Sequence, residues 1–240
     1  MAIAEITFPR DGAAIRGALA LPAAGERHPA IVLIPDVRGV QDHYRGIARR
    51  LAEEGFAVLA LDLYSREGAP DLPDLDAVFR WIRQLSDPRV LGDIAGAVGY
   101  LAGRPEVRAE AIAIAGFCMG GQYALMAACS VPGLAACVSW YGMLRYTEYD
   151  DAKPQSPLDL AARLTCPYLG FFGADDTLIT KADVDELRSR LAAAGKDFTT
   201  ITYSGAGHAF FNDTRPEMFR PEAARDSWDK ALAFLRRHLG

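Results

Sequence analysis

No block of like charge, no apolar run of membrane-spanning length and no paired-cysteine motif occurs in this 240-residue chain, and each absence removes a class of function. Acidic side chains number 31 against 26 basic ones, a net charge of −5, and the two signs are interspersed. That leaves no electrostatic footprint for nucleic acid or an anionic membrane, so a small molecule is the expected partner. No apolar stretch approaches the ~18 residues a membrane span needs. The opening Met1-Ala-Ile-Ala-Glu-Ile-Thr-Phe has neither the basic start nor the apolar core of a secretory signal. A cytoplasmic protein, monomeric or weakly homodimeric, is expected. The four cysteines, Cys118, Cys129, Cys137 and Cys166, lack the spacing of a zinc site, and a core of this size needs no disulfide staples. Reduced thiols with no metal and no cofactor are expected. Cys129, Cys137 and Cys166 lie in or beside apolar stretches and read as small core residues; Cys118 does not.

Half of the residues are apolar, enough for one large core, so a single domain spanning 1–240 is expected. Ile3 to Phe8 and Ala14 to Leu21 read as strands joined through Asp11-Gly12, a pair that favours a tight antiparallel hairpin. Ala30 to Ile34 is a β-branched run of the kind buried on both faces of a sheet. A helix over 43–54 follows, stopped by Gly55, and then a strand over 56–61. Helices are expected over 74–85 and from Asp87, as cap, to 102. Strands at 111–115, 134–139, 168–172 and 198–203 alternate with helices at 119–130, 181–194 and 221–239. Such alternation implies right-handed crossovers and a mostly parallel sheet with helices on both faces. Residues 64–73 and 141–165 read as irregular loops.

In open parallel sheets, ligands sit at the carboxyl ends of the strands. After the 111–115 strand comes Gly116-Phe-Cys118-Met-Gly120-Gly121, the glycine spacing of a G-x-S-x-G nucleophile elbow with cysteine in place of serine. The run is neither a P-loop nor G-x-G-x-x-G. A buried thiol in a glycine-rich turn is the plainer alternative. The helix starting at Cys118 would favour its thiolate through the N-terminal dipole. A nucleophilic cysteine needs a base and the base an orienting acid. Asp175-Asp176 follows one strand and His208 follows the next, so nucleophile, acid and histidine stand in the chain order of α/β-hydrolases. Spacing alone does not choose between Asp175 and Asp176. His28, His43 and His238 read as solvated side chains.

From Ile31 to Leu239 the sequence resembles the dienelactone hydrolases, α/β-hydrolases with a cysteine nucleophile. The resemblance is carried by Gly116-Phe-Cys-Met-Gly-Gly121, Val58-Leu-Ala-Leu-Asp-Leu-Tyr64, Trp140-Tyr-Gly142, Gly173-Ala-Asp-Asp176 and Gly205-Ala-Gly-His-Ala-Phe210. It implies an α/β-hydrolase fold, Asp176 as the acid, and a thioester route for cleaving small esters or lactones. It also implies an oxyanion hole from the backbone N–H groups of Val37 and Met119, in keeping with general elbow geometry. Asp36 stands where relatives carry a glutamate that holds the resting thiol; the alternative is a loop carboxylate paired with Arg38. Tyr141 matches an active-site tyrosine. Asn212 stands where the dienelactone enzyme has an arginine gripping the substrate carboxylate, so half of that clamp is replaced by a neutral amide. Arg215, Arg80 and Arg83 are candidate substitutes, while Phe210 and Phe211 suggest apolar walls. The rival readings are a thioesterase, small-peptide hydrolase or acyltransferase on the same triad, and a non-catalytic binding module.

Overall fold

The computed structural model describes residues 2–23, 25 and 27–240. The N-terminal hairpin forms as expected. Strands β1 (Ile3–Arg10) and β2 (Ala13–Ala20) pair from Ile3↔Ala20 to Arg10↔Ala13, and Asp11 and Gly12 turn with φ of 44° and 75°. Two consecutive positive φ values give the turn whose twist matches a hairpin. Then follow β3 (His28–Ile34), α1 (Asp42–Glu53), β4 (Ala57–Leu61), α2 (Leu75–Gln84), α3 (Asp87–Ala102), β5 (Val107–Phe117) and α4 (Met119–Ser130). The chain continues through β6 (Ala136–Trp140), α5 (Pro157–Leu160), β7 (Tyr168–Gly173), α6 (Lys181–Ala193), β8 (Phe198–Tyr203) and α7 (Pro221–Leu239).

The eight strands form one sheet in the order β1-β2-β4-β3-β5-β6-β7-β8. β2 is antiparallel to both β1 and β4, and every later neighbour pair is parallel. The central strands are buried on both faces: every residue of β4, β6 and β7 is buried. On one face α1 and α7 meet, with Ile47, Leu51, Trp228, Ala231 and Leu235 against Leu33 and Trp140. Across the sheet, α3 and α4 pack on each other and on β5. No helix among the described residues is long and apolar enough to cross a membrane.

Three local expectations need correction. β5 starts at Val107, four residues before the apolar run, because its first turns are solvent-facing and polar (Arg108, Glu110) and only the later ones are buried. A short helix, α5, lies within 141–165, with Pro157 at its start and a Ser156–Asp159 capping box. Asp87 does not cap α3, since Ser86 holds that position. Its buried carboxylate instead accepts hydrogen bonds from Tyr123 (2.8 Å), Tyr146 (2.7 Å) and Lys153 (2.5 Å).

The strand order reverses between the parallel strands β3 and β5, whose carboxyl ends therefore border a crevice at the topological switch point. The loop after β3 carries Asp36 and Val37, and the turn after β5 carries Cys118. The segment after β4 is tied down where it begins, by Arg16–Asp62 at 2.9 Å and Arg66–Asp93 at 2.7 Å.

Candidate active site

Cys118 occupies φ 56°, ψ −121°, a conformation that a side chain rarely adopts and that persists only where its surroundings enforce it. The glycines on either side provide the enforcement. A Cβ on Gly116 would lie 2.0 Å from the Gly120 carbonyl oxygen, and one on Gly120 would lie 2.2 Å from that of Ile34. Only bare backbone lets β5, the first turn of α4 and the end of β3 come this close. The turn is fixed further by Cys118 N–H donating to the Trp140 carbonyl at 2.9 Å and by Phe117 stacking on Trp140 with ring centroids 4.4 Å apart. The sulfur therefore stands at the N-terminus of α4, where unpaired N–H groups favour negative charge.

His208 Nε2 lies 3.1 Å from Cys118 Sγ, and its Nδ1 lies 2.8 Å from Asp176 Oδ2. The other oxygen of Asp176 accepts from the N–H groups of Leu178 (2.8 Å) and Ile179 (3.2 Å). The carboxylate is thus oriented by backbone, and its side chain has no solvent exposure. Asp175, by contrast, is exposed, so the fold selects between the two acids. Burial alone would lower the pKa of His208, but the Cys118 sulfur and the Asp176 carboxylate outweigh it and push it up to about 10. The ring stands between the Cys118 sulfur and the Asp176 carboxylate. The remaining thiols are different: Cys129, Cys137 and Cys166 are buried, and burial pushes Cys129 and Cys166 up to about 12.

Neither the Val37 nor the Met119 N–H donates to a protein acceptor in the hydrogen bonds of the described residues. The Val37 peptide is held from two sides. Tyr64 Oη donates to the Val37 carbonyl at 2.7 Å, and Asp36 Oδ1 accepts from the Arg38 N–H at 2.9 Å. Asp36 therefore braces its own loop; the described contacts include no hydrogen bond from it to Cys118 and no ion pair with the exposed Arg38 side chain.

Other candidates fall elsewhere. The buried Tyr141 ring lies edge-on to His208 at 5.2 Å. Phe210 is fully buried, 5.2 Å from Tyr141 and 5.4 Å from Tyr203, so it packs behind Tyr141 and presents no wall to solvent. Asn212 is buried too, its Oδ1 accepting from Thr214 N–H (3.0 Å) and Oγ1 (2.6 Å), which commits the carbonyl end of the amide to a turn. Arg83 is engaged by Glu148 (2.8 Å) and Asp150 (3.3 Å). His43 is not solvated: its side chain is 9% exposed and its Nδ1 lies 3.0 Å from Asp213. This ties α1 to the loop carrying His208, a contact that a sequence reading by position alone misses. His28 and His238 are half-buried. Among the described residues no group of three or more His, Cys, Asp or Glu side chains is placed to hold a metal ion.

A strained elbow turn at the switch point of a mostly parallel sheet, with an acid after β7 and a histidine after β8, defines an α/β-hydrolase. The chain belongs to the dienelactone hydrolase family, whose model matches residues 15–239, and it is accordingly a lactone or ester hydrolase. A Bradyrhizobium sp. protein named "Probable 2-oxo-3-(5-oxofuran-2-ylidene)propanoate lactonase" is 38% identical over 221 residues, 92% of this chain and 88% of the relative. A "Putative carboxymethylenebutenolidase" of Methylorubrum extorquens is 33% identical over 238 residues, covering 98% of this chain and 80% of the relative. The crystal structure of a "Putative Dienelactone Hydrolase" from Klebsiella pneumoniae superposes with a TM-score of 0.93 at 32% identity, covering 98% of each chain.

Proposed function

We propose that the protein cleaves a small ester or lactone through a thioester on Cys118, with His208 as proton carrier and Asp176 as its orienting partner. The supporting observation is the unbroken chain of contacts from Cys118 Sγ to His208 Nε2 (3.1 Å) and from His208 Nδ1 to Asp176 (2.8 Å). The thiolate attacks the carbonyl carbon, and charge develops on an oxygen facing the Val37 and Met119 N–H groups. As the tetrahedral intermediate collapses, His208 protonates the departing alkoxide, leaving the acyl group on sulfur. The now neutral imidazole takes a proton from water, which attacks the thioester and releases the acid and the thiolate. Asp176 keeps the imidazole in the tautomer that this cycle requires. Small molecules are the only partners the mechanism calls for, and no cofactor enters it. The four free thiols suit the cytoplasm, where this reading places the protein.

Uncharged substrates are favoured because Asn212, its carbonyl oxygen committed to the turn at Thr214, offers only a neutral NH2 group, and Arg83 is neutralised by two carboxylates. The lactone named for the Bradyrhizobium relative carries a carboxylate, and Arg215, whose contact with Glu217 is long at 3.7 Å and whose charge opposes the rise that burial gives the Tyr141 pKa, is the cation to test for one. A comparison of kcat/KM for dienelactone and an uncharged lactone of similar reactivity separates the two: a preference above about tenfold for the anion, worth ~1.4 kcal/mol, shows that another residue has taken over the clamp. The covalent route is tested by mass spectrometry of protein quenched during turnover. An acyl adduct on Cys118 is expected, together with loss of turnover in Cys118→Ala; turnover surviving that substitution would refute the thioester route.

A further inference from the structure

Beneath the irregular segment between β6 and α5 lies a buried polar cluster that the reaction above does not use. Asp87 opens α3, Gln122 and Tyr123 stand early in α4, and Tyr146 and Lys153 reach in from the segment itself. Residues 147–151 are exposed, yet Lys153 is turned inward, and Asp87, Gln122 and Tyr123 are buried as well. Asp87 accepts from Tyr123, Tyr146 and Lys153. In addition, Gln122 Nε2 donates to Tyr146 Oη at 2.6 Å, Lys153 Nζ to Tyr123 Oη at 3.0 Å, and the Asp87 N–H to the Ala152 carbonyl at 2.8 Å. The attraction within a buried ion pair is largely offset by the cost of desolvating it; what these contacts from three elements supply is one fixed arrangement of the segment.

The same segment begins at the candidate active site. Tyr141 has φ 39°, a left-handed conformation that costs a tyrosine energy and persists only where its surroundings enforce it. Its ring lies edge-on to His208 at 5.2 Å. On one side the Tyr141 N–H is held by the Phe171 carbonyl at 2.7 Å. On the other, Gly142 rests on the first turn of α4, where a Cβ on it would lie 2.5 Å from the Gly121 carbonyl carbon and 2.7 Å from the Gln122 nitrogen. That nitrogen donates to the Cys118 carbonyl at 3.0 Å, so Gln122 stands one helical turn from the sulfur. Gln122 thus meets the segment twice, at Gly142 through its backbone and at Tyr146 through its side chain.

We infer that Tyr146 is a positioning residue for His208: its hydroxyl, receiving a hydrogen bond from Gln122 and donating one to Asp87, clamps the segment onto α4, so that Tyr141 keeps its left-handed backbone and its ring stays against the imidazole. The inference rests on the proton-carrying role proposed for His208. Cutting the clamp lets Tyr141 relax toward ordinary backbone angles and frees the imidazole on that side. Alignment of the imidazole matters most while a proton is in transfer, so the loss falls on kcat and leaves KM almost unchanged.

The test is Tyr146→Phe and Gln122→Met, alone and together, with kcat and KM measured on a chromogenic ester and Tm by thermal unfolding. Phe keeps the ring and deletes the hydroxyl. Met is close to Gln in length and volume and also removes its buried, unpartnered Oε1, so Tm should hardly change in that variant. Each single substitution is expected to lower kcat about tenfold with KM within about twofold. The pair should lose no more than the weaker single variant, because both cut one tether. A cluster that only stabilises predicts a lowered Tm for Tyr146→Phe with kcat unchanged well below that temperature, and wild-type kcat for Gln122→Met. That result overturns the inference, as do losses that multiply in the double variant. Should Tyr146→Phe fold poorly, Gln122→Met decides alone. Failure of the thioester route shows separately, as turnover that survives Cys118→Ala whatever the state of the clamp.

Discussion

Replacing Asp176 with Asn changes one oxygen for one NH2 group at a side chain with no solvent exposure, and the consequences follow from its three contacts. The remaining oxygen still accepts from Leu178 and Ile179 (2.8 and 3.2 Å), so the turn keeps its backbone anchors. The NH2 group then faces His208 Nδ1, formerly 2.8 Å from a carboxylate oxygen. A donor there makes Nδ1 an acceptor and places the ring proton on Nε2, against Cys118. The imidazole can no longer take the thiol proton, and the negative charge that favoured the imidazolium is gone. The expected loss is about 10³–10⁴-fold in kcat near neutral pH, the scale of the same exchange in serine triads, while stability falls by only about 1–2 kcal/mol. The assay is hydrolysis of a chromogenic ester with parallel iodoacetamide labelling of Cys118, which should slow together with turnover. Asp175→Asn, at an exposed position, is the control and should stay within about threefold of wild type. If Asp176→Asn stays within tenfold of wild type, or the two variants exchange ranks, the assigned acid is wrong.

Because His208 is pushed up to about 10, the imidazolium that protonates the leaving group should persist through neutral pH, and kcat/KM should fall as pH rises through about 10. The same shift sets a stability window. The folded pKa is above the unfolded value of roughly 6.5, so its contribution is complete below that value and is lost as pH rises through about 10; urea midpoints measured across pH 6–10.5 check this. Lys153→Met would leave the Asp87 carboxylate, 1% exposed in its side chain, without its cation, and a loss of about 3–5 kcal/mol is expected by denaturant unfolding. The double replacement with Asp87→Asn should recover much of that loss; an unchanged Lys153→Met midpoint would show that the pair contributes nothing.

The elements most legible in the sequence were those whose apolar period matched their burial: β3, β4 and β7 are continuous buried runs, and the stripe Ile47, Ala48, Leu51 marks α1. The elbow and its two partners were legible because close backbone approach demands glycine and because strand ends fix where a loop residue must stand. Groups with a dual character were not. Asp87 beside Pro88 reads as a cap, yet Tyr123, Tyr146 and Lys153, distant in sequence, decide where its carboxylate goes. Phe210 and Asn212 lie in the loop that carries His208, but which way each faces depends on Tyr141, Tyr203 and Thr214.

Eleven of the twelve residues of α4 are buried, so the helix behind the sulfur has almost no water-facing side. A side chain changed anywhere along it must displace the sheet, α3 or α5, and the displacement reaches Cys118 through a densely packed interior. The loop 141–156 is itself tied to that helix, through Gln122 donating to Tyr146 at 2.6 Å and Lys153 donating to Tyr123 at 3.0 Å, so variation in what the enzyme accepts is expected first in the strand-end segment 65–73. A library aimed at new substrates belongs in that segment. Substitutions within 119–129 would chiefly yield protein that no longer folds.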